Sequence, residues 1–192
     1  MKPFLIGLIV FAIAALVVVR LLRNWGRPGE ARSRLRQPRL MDGLSVPPAG
    51  TRYLQIQKIS IALDVEDKRA LFILLASDGT INRMGTGALE NAEHGLYIGR
   101  TSTAMFEKVR SFLNDTLLEH MGSYDLKDKQ GAQCRLNIGL QFADGTENGF
   151  LFLYGADSMG PPTPIADLVK EAIRATDSWY ENFKRTAAKA KG

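Results

Sequence analysis

Apolar residues open the chain as one unbroken run. Residues 4–19, FLIGLIVFAIAALVVV, contain no polar side chain, and Leu21 and Leu22 carry the run past Arg20. Counted through Leu22, the stretch approaches the ~20 residues that cross a bilayer as a helix. Arg20 can keep its stem in the apolar layer and raise its guanidinium to the headgroups. Trp25 follows at the depth of an interfacial aromatic. The run ends in arginines where a cleavable leader would end in small polar residues, so residues 1–23 are expected to remain as a transmembrane anchor. Residues 24–52 show no sustained apolar period and hold Pro28, Pro38, Pro47 and Pro48. Proline stops helix propagation, so this stretch reads as a linker.

From Tyr53 the pattern changes to period two. Leu54 and Ile56, then Ile59, Ile61, Leu63 and Val65, alternate with polar residues as in a half-buried strand. The phase slips at Gln57–Lys58, where one extra residue would form a bulge. Residues 70–77 and 80–87 flank Asp78-Gly79, a strong hairpin signal. Residues 96–98 add a candidate short strand. A helix is then expected from Ser102 or Thr103, because Met105, Phe106, Val109, Phe112, Leu113, Leu117, His120 and Met121 share one helical face up to Gly122. A second cycle follows: residues 134–142, the turn Asp144-Gly145, residues 148–155, and a helix opened by Thr163-Pro164. In residues 148–155, Phe150, Phe152 and Tyr154 face Leu151 and Leu153, so this strand is apolar on both sides. It is expected to be buried twice or to offer one face as an interface.

The predicted fold class is α+β: an N-terminal transmembrane helix, then a small antiparallel sheet with two helices on one face, in the order β-β-(β)-α-β-β-α within residues 53–192. The tripeptide DGT stands at both hairpins, residues 78–80 and 144–146. A duplicated ββα unit would explain this. Asp-Gly turns are so common that convergence is preferred.

Charge sharpens the topology. The chain of 192 residues carries a formal +5. Residues 1–39 hold Lys2 and seven arginines against Glu30, a net +7, which leaves −2 for residues 40–192. The basic character therefore belongs to the membrane flank, and no nucleic-acid partner is expected. The arginines follow the span, which places the C-terminal domain in the cytoplasm of a single-pass cell-membrane protein. Arg20, Arg23, Arg27, Arg32 and Arg34 are candidate lipid-headgroup contacts. Setting topology alone would also account for them. A small α+β domain behind one N-terminal span is also the layout of energy-coupling proteins of the TolR type. Their spans carry a functional Asp and are preceded by positive charge. Residues 4–19 hold no acid and the arginines come after, so no family is assigned.

Candidate chemistry is sparse. The single cysteine, Cys134, lies in an alternating apolar run and reads as a buried thiol. No Walker, G-x-S-x-G or G-x-G-x-x-G pattern occurs. Glu90, Glu93 and His94 share one loop without a fourth ligand, so neither a metal nor another cofactor is expected. If the two ββα units were equivalent, both hairpin-to-helix loops would meet at one end of the sheet. Arg100 and Ser102 would then join Asp157, Ser158 and Thr163 in a polar ligand or anion site. Ordinary caps and turns use the same residue types and are the preferred explanation. The expected function is a non-enzymatic interaction or assembly module at the bilayer. Its partner would be another membrane protein or a second copy. A small-ligand or anion sensor is the alternative, and an enzyme stands behind both.

Overall fold

The structure is a computed structural model and describes residues 50–88 and 95–189. The expected span 1–23, the linker up to residue 49, and Arg20, Arg23, Arg27, Arg32 and Arg34 lie outside the described residues, as do Glu90, Glu93 and His94. The chain divides into two compact units, Met1–Leu44 and Ser45–Gly192, and every described element belongs to the second. Among the described residues no helix is long and apolar enough to cross a membrane.

A short 3-10 turn, Arg52–Gln55, leads into β1 (Ile56–Val65), β2 (Lys68–Ala76), β3 (Thr80–Met84) and β4 (Tyr97–Arg100). Helices α1 (Thr103–Arg110) and α2 (Asp115–Leu118) follow, then β5 (Gly122–Asp125), β6 (Gln133–Phe142), β7 (Glu147–Gly155) and α3 (Thr163–Lys189). The strands form one seven-stranded sheet in the order β4-β3-β2-β1-β6-β7-β5. The class is α+β as expected, with two corrections. The sheet is mixed and not purely antiparallel, because β5 pairs with β7 in parallel. Among the described residues three α-helices are present where the domain was expected to hold two.

The second correction has a local cause. The apolar period of residues 103–121 is continuous, but the backbone is not. Asn114 leaves the helical conformation, and its side-chain oxygen accepts the N–H of Leu117 at 2.8 Å, capping a new helix. The next carboxylate, Asp115, accepts the N–H groups of Arg52 and Tyr53 and ties down the turn before β1. Val109, Leu113 and Leu118 still reach the core across the break. Phe112 and His120 do not; both are exposed, which corrects the single continuous face.

The bulge at Gln57 is present, as a register shift between Ile56 and Lys58 against β6. It lets Ile56 and Ile59 both point inward. The core joins Ile59, Ile61, Ile73, Leu75, Leu136, Ile138, Phe150 and Phe152 of the sheet to Phe106, Val109, Ile165, Leu168 and Ala172 of the helices. All helices therefore cover one face. Helix α3 starts beyond β7 and reaches the opposite edge, where Trp179 and Phe183 lie against Gly99 of β4.

Candidate functional site

Strand direction decides which loops can meet. β4 runs antiparallel to β3, so Arg100 stands opposite Thr80, at the end of the sheet that also holds Lys58, Gln141 and Glu147. β7 ends at Gly155, opposite Gln133 and beside the Val65 end of β1. Arg100 and Ser102 thus lie at one end, and Asp157, Ser158 and Thr163 follow the other. A nine-residue strand such as β7 separates the ends by roughly 25 Å. The expected meeting of the two loops does not occur. β4 is the reason: it carries the chain back across the sheet before α1 begins, whereas β7 leads directly to α3.

Each of these residues has a local task. Arg100 faces Asp78 at 3.9 Å, with both side chains exposed. Ser102 precedes α1 without a side-chain capping bond. The Ser158 hydroxyl donates to the Gly155 carbonyl at 2.6 Å. The Asp157 N–H donates to the Gln130 carbonyl at 3.0 Å. Thr163 is the first residue of α3, whose first turn closes on Pro162. Cys134 is buried, and desolvation, with Asp157 nearby, pushes its thiol pKa up, which opposes nucleophilic use. Among the described residues no group of three or more His, Cys, Asp or Glu side chains is arranged to hold a metal ion.

Polar chemistry inside the fold holds α3 in place. Arg83 of β3 is fully buried. It donates to Thr176 Oγ1 at 2.9 Å, to Asp177 at 3.1 Å and to the Gly85 carbonyl at 3.2 Å, and lies over the Tyr180 ring. The Tyr180 hydroxyl accepts the Gly85 N–H. Glu171, also buried, meets Lys108 at 2.9 Å and contacts Arg174. The hydrogen bonds from Lys108 and Arg174 hold its carboxyl below the usual value of 4.5.

Among the described residues, no helix packs on the face of the sheet opposite α1–α3. Two cross-strand rows run over its middle. One joins Met84, Phe72, Ala62, Asn137, Leu151 and Ser123. The other joins Ile98, Asn82, Leu74, Ser60, Gly139 and Gly149. Neither row holds a charged residue. Ionised groups appear only toward the strand ends, as Asp64, Arg69 and Arg135 at one end and Lys58 and Glu147 at the other. A solvent-facing sheet surface normally alternates in charged and polar residues. A middle of apolar and uncharged side chains inside a charged rim matches the anatomy of a protein interface, whose centre is depleted of charge. Phe72, Leu74, Met84 and Leu151 are half-buried, and Ile98 is 61% exposed. Two shallow depressions mark the face, both open to solvent. One, of about 270 Å³, lies over Ser60, Gly139, Gln141 and Glu147. The other, of about 340 Å³, lies beside Arg135, Leu151 and Leu153.

The sequence marked only the β7 part of this face. Leu151 and Leu153 were legible from the two-sided apolar strand 148–155. Phe72, Leu74 and Met84 were not, although ALFILLA in residues 70–76 is equally continuous and carries the same signal. Comparison of the chain with protein-family models, with curated proteins and with solved structures finds no match, so no family is assigned on that ground.

Proposed function

We propose that this protein is a non-enzymatic, single-pass membrane-anchored interaction module. Residues 1–23 are its anchor, and the α+β domain stands on the cytoplasmic side and docks through its open sheet face. The observation that carries the proposal is the pair of charge-free rows across that face. The charge asymmetry of residues 1–39 supports the anchor and its orientation. Tethering raises the effective concentration of the face at the bilayer without any added contact. A docking surface held there needs only modest intrinsic affinity.

The test is extraction of the full chain from membranes in mild detergent and measurement of what remains bound, a second copy included. Leu74→Lys introduces a charge into the centre of the face. Lys170→Glu, on the exposed side of α3, serves as the control. We expect a stoichiometric partner with the unaltered chain and with K170E, and at least a ~10-fold loss with L74K, the scale of a disrupted interface centre. Recovery of the chain alone, as a monomer, sinks the proposal. Protease protection of a C-terminal tag in sealed vesicles tests sidedness: digestion only after the cytoplasmic side is exposed is the expected result.

A further inference from the structure

We propose that the open face packs on the open face of a second copy of this chain. The inference rests on the interaction-module reading above and names its partner.

Self-association through one face requires a two-fold axis and a surface complementary to itself. Consider an axis in the plane of the interface that crosses the strands at Ile61, Ile138 and Phe150, which are mutual neighbours in the sheet. It exchanges the two charge-free rows, and each strand meets its own counterpart running the opposite way. Leu151 of one copy comes over Gly149 of the other. Its side chain approaches the depression lined by Ser60, Gly139 and Glu147. At the rim, Lys58 of one copy meets Asp64 of the other. Arg135 arrives at the end that holds Glu147. Every one of these contacts occurs twice.

The alternative axis, along β1, fails on charge. It sets Arg69 over Arg135 and Asp64 over itself, because all three share one row of the sheet. Like charges opposed at an interface cost affinity, so the charge pattern selects the first axis. The area is adequate. Seven strands at ~4.8 Å spacing and about eight residues at ~3.3 Å give a face of roughly 30 by 25 Å. That is close to the ~800 Å² per partner of a standard stable interface.

The experiment co-expresses two full-length copies with different tags, extracts them in mild detergent, captures one tag and quantifies the other, with the particle mass from light scattering. The unaltered chain is expected to capture its twin at dimer mass. Leu151→Glu should reduce capture by at least ~10-fold, as removal of a central anchor does. Arg135→Glu and Glu147→Arg should each reduce it by about 5-fold, and the double variant should return to within about 2-fold of the unaltered chain, since the opposed signs are restored. Thermal melts check that each variant folds; both charge-reversed side chains are exposed, so they decide the matter even if L151E does not fold. Capture of no twin by the unaltered chain overturns the inference, as does failure of the double variant to recover. If no twin is captured but a different stoichiometric protein is, and L151E loses it, the interaction module stands with another partner. If neither is captured, both fall.

Discussion

The two Asp-Gly hairpins share a turn and differ in everything the turn is attached to. At Asp78-Gly79 the glycine has φ +85°, its N–H donates to Ala76, and the Asp78 carboxylate accepts the Thr80 N–H at 2.8 Å. At Asp144-Gly145 the glycine has φ +81°, its N–H donates to Phe142, and Asp144 accepts the Thr146 N–H at 2.9 Å. Yet Ile81 and Arg83, third and fifth after Asp78, face the helices, whereas Phe150 and Phe152, sixth and eighth after Asp144, do so in the other hairpin. Side chains alternate between faces, so odd and even steps mean opposite phases. The hairpins flank β1 on opposite sides with the same strand directions. Superposing one on the other requires a half-turn about an axis along β1, which turns the sheet over. A local turn thus specifies a hairpin without specifying which face is buried, and the two DGT units are not equivalent parts of the fold.

The inward anchors differ most, and the largest effects are expected there. Phe152→Ala removes a buried ring and should cost about 3–5 kcal/mol in denaturant unfolding. Arg83→Ala should cost a similar ~3–5 kcal/mol, because it empties a buried site and strips its hydrogen bonds. Arg83→Met should cost less than ~1.5 kcal/mol. Asp177, the ionic partner, has its side chain 54% exposed and rehydrates when released, so packing dominates at this position. A loss with Met as large as with Ala would show that the ion pair dominates instead.

The turn glycines give the next test. A Cβ on Gly79 would meet the Thr101 carbonyl oxygen at 2.5 Å, whereas one on Gly145 meets nothing within 4 Å. Gly145→Ala therefore carries only the left-handed backbone penalty, about 1 kcal/mol. Gly79→Ala adds a backbone clash and should cost about 3 kcal/mol. Equal losses would mean that β4 and the segment after it yield easily at Thr101.

The β1–β2 turn sharpens the comparison from outside. It places Glu66 and Asp67 at φ +49° and +60°, without a glycine. Two positive values at the centre of a two-residue hairpin suit Asn-Gly. Changing Glu66 to Asn and Asp67 to Gly should stabilise the domain by about 0.5–1 kcal/mol, read as a higher urea midpoint. No gain would mean that the two acidic side chains offset their backbone cost.

The smallest expected effect tests the shared half of the comparison. Hydrogen bonds from Thr80 hold the Asp78 carboxyl below its usual 3.8, and those from Thr146 do the same for Asp144. A carboxylate depressed in the folded state stabilises it above the unfolded pKa, and that contribution fades as pH falls through the folded value. Both groups should therefore titrate below 3.8 by carbon-detected NMR, and both should rise toward it when Thr80 or Thr146 becomes Val. A normal value at either hairpin would break the equivalence of the turns.

Much of the fold was legible in sequence. Alternation, continuous apolar runs and turn signals located six of the seven described strands, the phase slip located the bulge, and Asp-Gly located two turns. The misses have physical causes. β5 is four residues at an edge and follows a helix directly, too short for a period to emerge. The Glu66-Asp67 turn carries no glycine, asparagine or proline, so Asp67 alone did not mark it. The break at Asn114 interrupts the backbone without interrupting the apolar spacing. The polar site expected around Arg100 and Asp157 depended on equal geometry in the two halves, and β4 removed that equality.

By itself, the amino-acid sequence determined what depends on neighbours in the chain: where apolar period two gives way to period 3.6, where glycine and aspartate turn the backbone, and where charge concentrates. Tertiary structure alone decided what depends on distant residues. It set the side of β1 on which each hairpin pairs, and through that side the phase of burial. It set which loops share an end of the sheet. It also aligned uncharged residues from seven strands, Ile98, Met84, Leu74, Ala62, Gly139, Leu151 and Ser123 among them, into one continuous face. Strand pairing brings together residues far apart in the chain, such as Ser60 and Gly139, which are 79 positions apart. No local pattern of spacing or propensity encodes that distance.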